Sequence, residues 1–425
     1  MPAQRRDLSV NQLAATRFYR DGGGFSPLPL GFCIEFYDPV PPGRIREALM
    51  AVIEQHEVLR YRLLPGTEHA ELVSGRWLPE LEALAPGPDG DLDAAAREAW
   101  AEAGVLAPGP FVKVAVCGDP VRVLCVLLDH LVADGWSLQV VAATLLAELG
   151  LADAPAARQR TSTFQRHVED ERDRLAGKDA ADAFAPWREY LDGESPLPGR
   201  RFALLEVDDP QVAGSGGPLH RSVVLPAATV AAVNGAARQR RISPFMLASA
   251  VLARSMAQDL KVDRPAFVTA AANRISEGDL GVVGWYASTW PLLYDHARLG
   301  SAAECIALSR NLILGLHEMP VVPLPSLLKE LAPHDYGTTT RKDYLSLQVD
   351  RSFGQFPSTA FKIELIPRDT AHSPEGGIYL SAELPEDDTA GMLEVLVDSS
   401  RFDLDRVCDW SAGWLAEAAL LAARG

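Results

Sequence analysis

Residues 121–149, VRVLCVLLDHLVADGWSLQVVAATLLAEL, hold an apolar run, a short polar stretch and a second apolar run. Val121–Leu128 is short, rich in branched residues and bounded by turn residues, which predicts a buried strand. The run that follows Ser137 is long enough for a buried helix. Ser137 is its predicted N-cap, because a serine hydroxyl can accept an unpaired first-turn N–H. Between the two lie Asp129, His130, Asp134, Gly135 and Trp136. A histidine and an acid four residues later thus share a loop between two rigid elements, where catalytic groups are held still.

The composition is that of a soluble globular protein. The chain has 425 residues, 48% hydrophobic and 23% charged, enough for two or three domains with large cores. No apolar run approaches the ~18 residues of a membrane helix. The first residues, MPAQRRDLSV, lack the apolar region of a signal peptide. Five scattered cysteines, without CxxC spacing, argue against a disulfide framework or a zinc site. Cys117 and Cys125 read as core thiols, and a cytoplasmic location is expected. A net charge of −17 disfavours nucleic acid and anionic membranes as partners. No P-loop, dinucleotide fingerprint, HExxH or GxSxG is present. No metal and no tightly bound cofactor are expected.

The remaining elements follow from periodicity. Strands are predicted at 30–37, 111–117, 219–225 and 265–270, with a DPVPPG turn at 38–43. Gly118-Asp119-Pro120 makes a hairpin of 111–128. Ile45, Leu49, Val52 and Ile53 share one helical face over 44–58. Further helices are expected at 92–103, within 162–194, at 227–238, from Ser243-Pro244 onward, at 302–318 and at 403–422. Four late strand-like runs cover 344–350, 360–366, 378–384 and 392–397. An Ala-rich stretch at 151–161 suggests a boundary between residues 1–160 and 161–425.

DHLVADGWS resembles the HHxxxDG signature of nonribosomal peptide synthetase condensation domains, with Asp129 at the first histidine. The core HxxxDG is shared by the wider chloramphenicol acetyltransferase-like superfamily. Other stretches resemble that family in the right order: the Ser and Gln opening LSVNQLAATRFYR, HEVLRYRLL at 56–64, Trp187 and Leu191 in FAPWREYLDG, VGWYASTWPLL at 283–293 and HEMPVVPLPSLL. The resemblance implies an α/β fold of two acetyltransferase-like lobes in a V-shaped pseudo-dimer with a central tunnel. The C-terminal lobe would carry a floor loop and a latch-type crossover. A single chain then supplies both lobes, so a monomer is expected.

The resemblance also implies site roles. His130 would take the nucleophile's proton, as a side chain with a reference pKa of about 6.5 can. N–H groups at Gly135 or Trp136 would face the developing oxyanion. Asp134 would anchor the loop through Arg60, with Arg62 as the fallback; Asp129 and Trp136 would support it. Trp285, Tyr286, Ser288 and Trp290 would shape the substrate channel. The implied activity is that of a free-standing condensation enzyme. It would carry an acyl or aminoacyl group from a carrier protein's phosphopantetheine thioester to an amine or alcohol, through Arg238–Arg240–Arg241 or Arg5–Arg6 as docking patches. A non-catalytic recruitment domain, and an acyltransferase using acyl-coenzyme A, are the alternatives.

Overall fold

A computed structural model describes residues 4–20, 30–64, 67–73, 77–83, 109, 111–152, 161–176, 180–208, 217–274, 276–295, 299–336, 344–350, 358–365 and 377–423. The strands are β1 (Gln4–Asp7), β2 (Leu30–Val40), β3 (Tyr61–Leu63), β4 (His69–Leu72), β5 (Leu81–Ala83), β6 (Val112–Cys117) and β7 (Val121–Leu128). They continue as β8 (Pro218–Leu225), β9 (Ala266–Ala271), β10 (Ser288–Leu293), β11 (Tyr344–Asp350), β12 (Phe361–Leu365), β13 (Gly377–Glu383) and β14 (Gly391–Asp398). The helices are α1 (Val10–Arg20), α2 (Pro42–Gln55), α3 (Gly135–Glu148), α4 (Phe164–Ala176) and α5 (Ala180–Leu191). They end with α6 (Ala227–Arg240), α7 (Pro244–Gln258), α8 (Ala302–Glu318), α9 (Leu324–Leu331) and α10 (Leu404–Ala423).

The chain divides into two compact units. The first is residues 1–180 together with 272–287 and 353–369; the second is the remainder. The sequence reading instead ends the first lobe at residue 160 and assigns both returning segments to the second. Those segments join the first unit through contacts that no local pattern announces. The predicted 92–103 helix and most of the 151–161 linker lie outside the described residues.

In the first unit a five-stranded sheet runs β12-β2-β7-β6-β5. The predicted hairpin is β6 and β7, antiparallel and joined through Gly118 at φ +92°. Strand alternation then sorts the side chains. Phe32, Ile34 and Phe36 of β2 share a core with Leu124, Val126 and Leu128 of the neighbouring strand β7 and with Ile45, Leu49, Val52 and Ile53 of α2. Each such side chain contributes about 1.5–3 kcal/mol when taken out of water. The strand β2 runs on to Val40, into the stretch predicted as a turn, through an irregularity between Glu35 and Val40.

In the second unit a six-stranded sheet runs β10-β9-β11-β13-β14-β8. The strand β11 is parallel to both β9 and β13, and the other pairings are antiparallel. The helix α7 starts as predicted: Ser243 Oγ accepts from Met246 N at 3.1 Å, with Pro244 in the first turn.

Candidate active site

The loop from β7 to α3 carries the predicted site, and its acid is the most heavily bonded group in it. Asp134 is 1% exposed. Its Oδ1 accepts from Ser137 N at 2.9 Å and Ser137 Oγ at 2.7 Å. Asp134, and not Ser137, is therefore the N-cap of α3. Both residue types can cap; the helix begins a turn earlier because Asp134 is also satisfied from outside it.

That outside partner is Arg274, where the sequence reading names Arg60. Arg274 Nη1 lies 2.8 Å from Asp134 Oδ2, and Arg274 Nη2 3.1 Å from Oδ1. Tyr286 N and Ala287 N add bonds to Oδ2 at 3.0 and 3.1 Å. Burial alone pushes the Asp134 carboxyl up; the Arg274 charge and the hydrogen bonds from Arg274 and Ser137 outweigh it and hold the group below its ordinary value. Arg60 instead lines a cleft of about 230 Å³ with His56, Phe164 and Val283. The fallback Arg62 pairs with Glu71 at 3.6 Å.

Arg274 also organises its own segment. Its Nη2 donates to Val282 O at 3.2 Å and to Ser137 Oγ at 3.1 Å, and its guanidinium lies 4.4 Å from the centre of the Tyr286 ring. Tyr286 packs on Phe164 and His167 at 5.5 and 4.2 Å. Burial drives the His167 imidazole down to about 4, so the ring is neutral at pH 7. Sequence reading missed Arg274, Phe164 and His167. The one signal was an arginine just past the apolar strand ending in AAAN.

His130 lies five residues before α3 begins. Its ring is partly buried and rests against Trp285, with centroids 4.5 Å apart at 49°. The backbone around it is fixed from several sides. Asp129 N donates to Phe111 O at 3.0 Å. Asp129, 2% exposed, uses Oδ1 to accept from Leu131 N at 2.8 Å. Gln12 Nε2 donates to Leu131 O at 2.8 Å, and Gln12 itself is locked to Ser9. The Ser and Gln of the opening stretch thus hold the site loop. Trp136 Nε1 donates to Leu280 O at 2.9 Å. A methyl built on Gly135 would meet no atom within 4 Å, so the first turn of α3 is open there.

The predicted channel residues divide between the units. Trp285 and Tyr286 belong to the first, Ser288 and Trp290 to the second. Within the second, Ser288 Oγ accepts from Leu324 N at 3.2 Å, and Trp290 packs on His317 at 4.9 Å. Of the docking candidates, Arg6 is engaged by Glu57 at 3.0 Å and Arg238 by Asp388 at 3.1 Å.

Fold and loop together define a class. The mixed α/β architecture is that of the chloramphenicol acetyltransferase-like condensation domains. SgcC5 from Streptomyces globisporus superposes with a TM-score of 0.76 at 19% identity, over 98% of this chain and 99% of that one. The condensation domain from the monacolin K polyketide synthase MokA gives 0.78 at 14% identity, over 99% and 97%. The X-domain from teicoplanin biosynthesis, solved in complex with OxyB, gives 0.73 at 17%, over 99% and 94%. The condensation-domain family model matches residues 30–348, and the chain belongs to that family.

Among curated proteins, a linear gramicidin synthase protein of Brevibacillus parabrevis is 25% identical over 299 residues, 67% of this chain. Phosphinothricin tripeptide synthetase PhsC of Streptomyces viridochromogenes is 27% identical over 309 residues, 62% of it. The chain spans only 4% and 27% of those two proteins.

Proposed function

We propose that the chain is an acyltransferase of the condensation type. It moves an acyl or aminoacyl group from a carrier protein's phosphopantetheine thioester to an amine or hydroxyl acceptor, acting on the carrier in trans. The acceptor's lone pair attacks the thioester carbonyl. A C–N or C–O bond forms, the C–S bond breaks and the thiol leaves. His130 takes the acceptor's proton and passes it to the thiolate. The N–H groups of Gly135 and Trp136, at the open start of α3, meet the charge that develops on the carbonyl oxygen. Phosphopantetheine enters as the substrate arm, and no metal or resident cofactor takes part. The enzyme is proposed to work as a monomer in the cytoplasm, in natural-product assembly.

The observation that carries this reading is the division of labour in the loop. Asp134 is consumed by the fold, while the His130 imidazole stays partly exposed against Trp285. Loaded carrier protein and a panel of amines and alcohols test it. His130→Ala should lower product formation by about 10²–10⁴-fold with little change in thermal midpoint. Product yield unchanged in that variant would remove the mechanism.

Asp129 favours a second reading. It stands where the family signature has its first histidine, and one of its oxygens is committed to the turn at Leu131. A recruitment domain would turn over no thioester, yet hold a tailoring enzyme in a pull-down. A coenzyme A donor is separated from a carrier-bound one by thermal protection, since only a ligand of the native state raises the midpoint.

A further inference from the structure

Two cysteines distant in sequence are brought opposite one another in the first unit: in the β2–β7 ladder, Cys33 is the partner of Cys125. Neighbouring ladders reveal which kind of pair this is. Asp129 N donates to Phe111 O at 3.0 Å, one step beyond the Val112–Leu128 pair of β6 and β7. Bonded and non-bonded pairs alternate along antiparallel strands. The odd residues of β7, Cys125 among them, therefore direct their backbone groups at β6. On the far side Tyr37 N donates to Ala360 O at 2.9 Å, one step beyond the Phe36–Phe361 pair of β2 and β12. The odd residues of β2, Cys33 among them, therefore direct theirs at β12.

Cys33 and Cys125 thus form a non-hydrogen-bonded pair, the class whose α-carbons approach to about 4.5 Å, against about 5.5 Å for bonded pairs. Side chains directly opposite each other share a face, with β-carbons roughly 4.5–5.5 Å apart and closest in this class. A disulfide spans α-carbons about 4.4–6.8 Å apart, so the backbone already meets its requirement. Both residues are thiols in the structure. Among the described residues, the other three cysteines have no such partner: Cys117 faces Val123, and Cys305 and Cys408 sit on α8 and α10.

We propose that Cys33 and Cys125 are a reversible oxidation site that closes into a cross-strand disulfide. Cys33 is partly exposed and is the entry thiol; Cys125 is 0% exposed and resolves. With a small disulfide such as oxidised glutathione as oxidant, the Cys33 thiolate attacks one sulfur and expels one glutathione thiol. Cys125, as thiolate, then attacks Cys33 Sγ and expels the second. One S–S bond forms and one breaks, two protein thiols are oxidised, one disulfide is reduced, and both protons end on glutathione. The tie joins β2 to the strand that leads directly into Asp129 and His130. It also closes a long loop of the unfolded chain, which raises the thermal midpoint.

The test uses the full chain incubated natively with oxidised glutathione, then alkylated and digested without reductant. The five thiols should fall by two, the intact mass should drop by about 2 Da as two hydrogens leave, and one peptide pair should join Cys33 to Cys125. Dithiothreitol should reverse all three changes, and the oxidised chain should melt several degrees higher. Cys33→Ser should abolish the cross-link while melting normally without oxidant, and Cys125→Ala should stop the reaction at a Cys33–glutathione adduct. A thiol count that stays at five, a wild-type chain that stops at the glutathione adduct, or a cross-link through Cys117 would each overturn the proposal.

Discussion

Asp134 and His130 are four residues apart on one loop, yet the chain holds them in opposite ways. Asp134 receives two donors from Ser137, two from Arg274 and the N–H groups of Tyr286 and Ala287. Every lone pair is occupied, and the charge is pinned on. His130 is held through its backbone neighbours, and its ring meets an indole. A carboxylate so thoroughly bonded has nothing left to offer a reacting group. It ties the 272–287 segment to the site loop, while the histidine ring stays partly exposed beside Trp285. In this loop, the acid four residues after the histidine is bonded to Ser137, Arg274 and the 286–287 backbone.

The most direct way to break that comparison is to remove the cation. Arg274→Ala leaves Asp134 buried and without its counter-charge, which should cost about 3–5 kcal/mol. Arg60→Ala, whose side chain does not reach Asp134, should stay within about 0.5–1 kcal/mol. Urea unfolding of the two variants decides it, and the reverse order would restore Arg60 as the anchor. The acid limb adds a second readout. The Asp134 carboxyl titrates lower folded than unfolded, so its contribution is complete above about pH 3.9 and is lost as pH falls through the folded value. Arg274→Ala should flatten that limb.

His167 sharpens the contrast, because here burial controls titration without a strong partner. Its folded pKa is depressed from 6.5 to about 4. Glu171 Oε2 sits 4.0 Å from Nε2, but burial pushes the Glu171 carboxyl up as well. Both groups are thus driven toward their neutral forms, and this contact is not an ion pair at neutral pH. A depressed histidine stabilises the fold fully above its unfolded pKa; that contribution is lost as pH falls from 6.5 toward 4. The full shift is worth about 3 kcal/mol. Comparing unfolding at pH 7 and pH 4.5 should show most of this loss in the wild type and much less in His167→Phe. Equal losses would mean that water reaches the ring.

What the sequence made legible was local. The β6–β7 hairpin, the Ser243–Pro244 start of α7 and the strand–loop–helix around His130 follow from neighbours within a few residues, where periodicity and capping chemistry act. The identity of Asp134's cation was not legible in the same way. Arg60 and Arg274 are both arginines close to apolar strands, and only the return of 272–287 to the first unit selects between them. Ser137 was misread as the cap for the same reason: Asp and Ser three residues apart are both competent, and distant donors favour the acid. The Cys33–Cys125 pairing depends on register, which no spacing of five cysteines could reveal.

Gly284 is where the anchored segment meets the helix α4. Its N–H donates to Ser137 Oγ at 3.1 Å, and its carbonyl oxygen lies 2.9 Å from the same hydroxyl, whose one hydrogen serves the shorter bond to Asp134. The backbone is thereby clasped to the residue that also serves Asp134. On the other side a β-carbon at Gly284 would lie 2.1 Å from Phe164 Cδ2 and 2.6 Å from Cγ. Phe164 is 1% exposed and packs on Tyr286, so the ring cannot simply swing away. Gly284→Ala must then move either the ring or the clasped backbone, and overpacking of this kind costs about 1–3 kcal/mol. Shrinking the ring separates the causes. Phe164→Leu alone should destabilise through lost packing, yet in combination with Gly284→Ala it should recover part of the glycine variant's loss. A double variant whose loss is the plain sum of the two would show that the methyl–ring clash is not what makes glycine necessary. A recovery of stability without recovery of activity would separate the packing of the segment from its setting of Trp285 against His130.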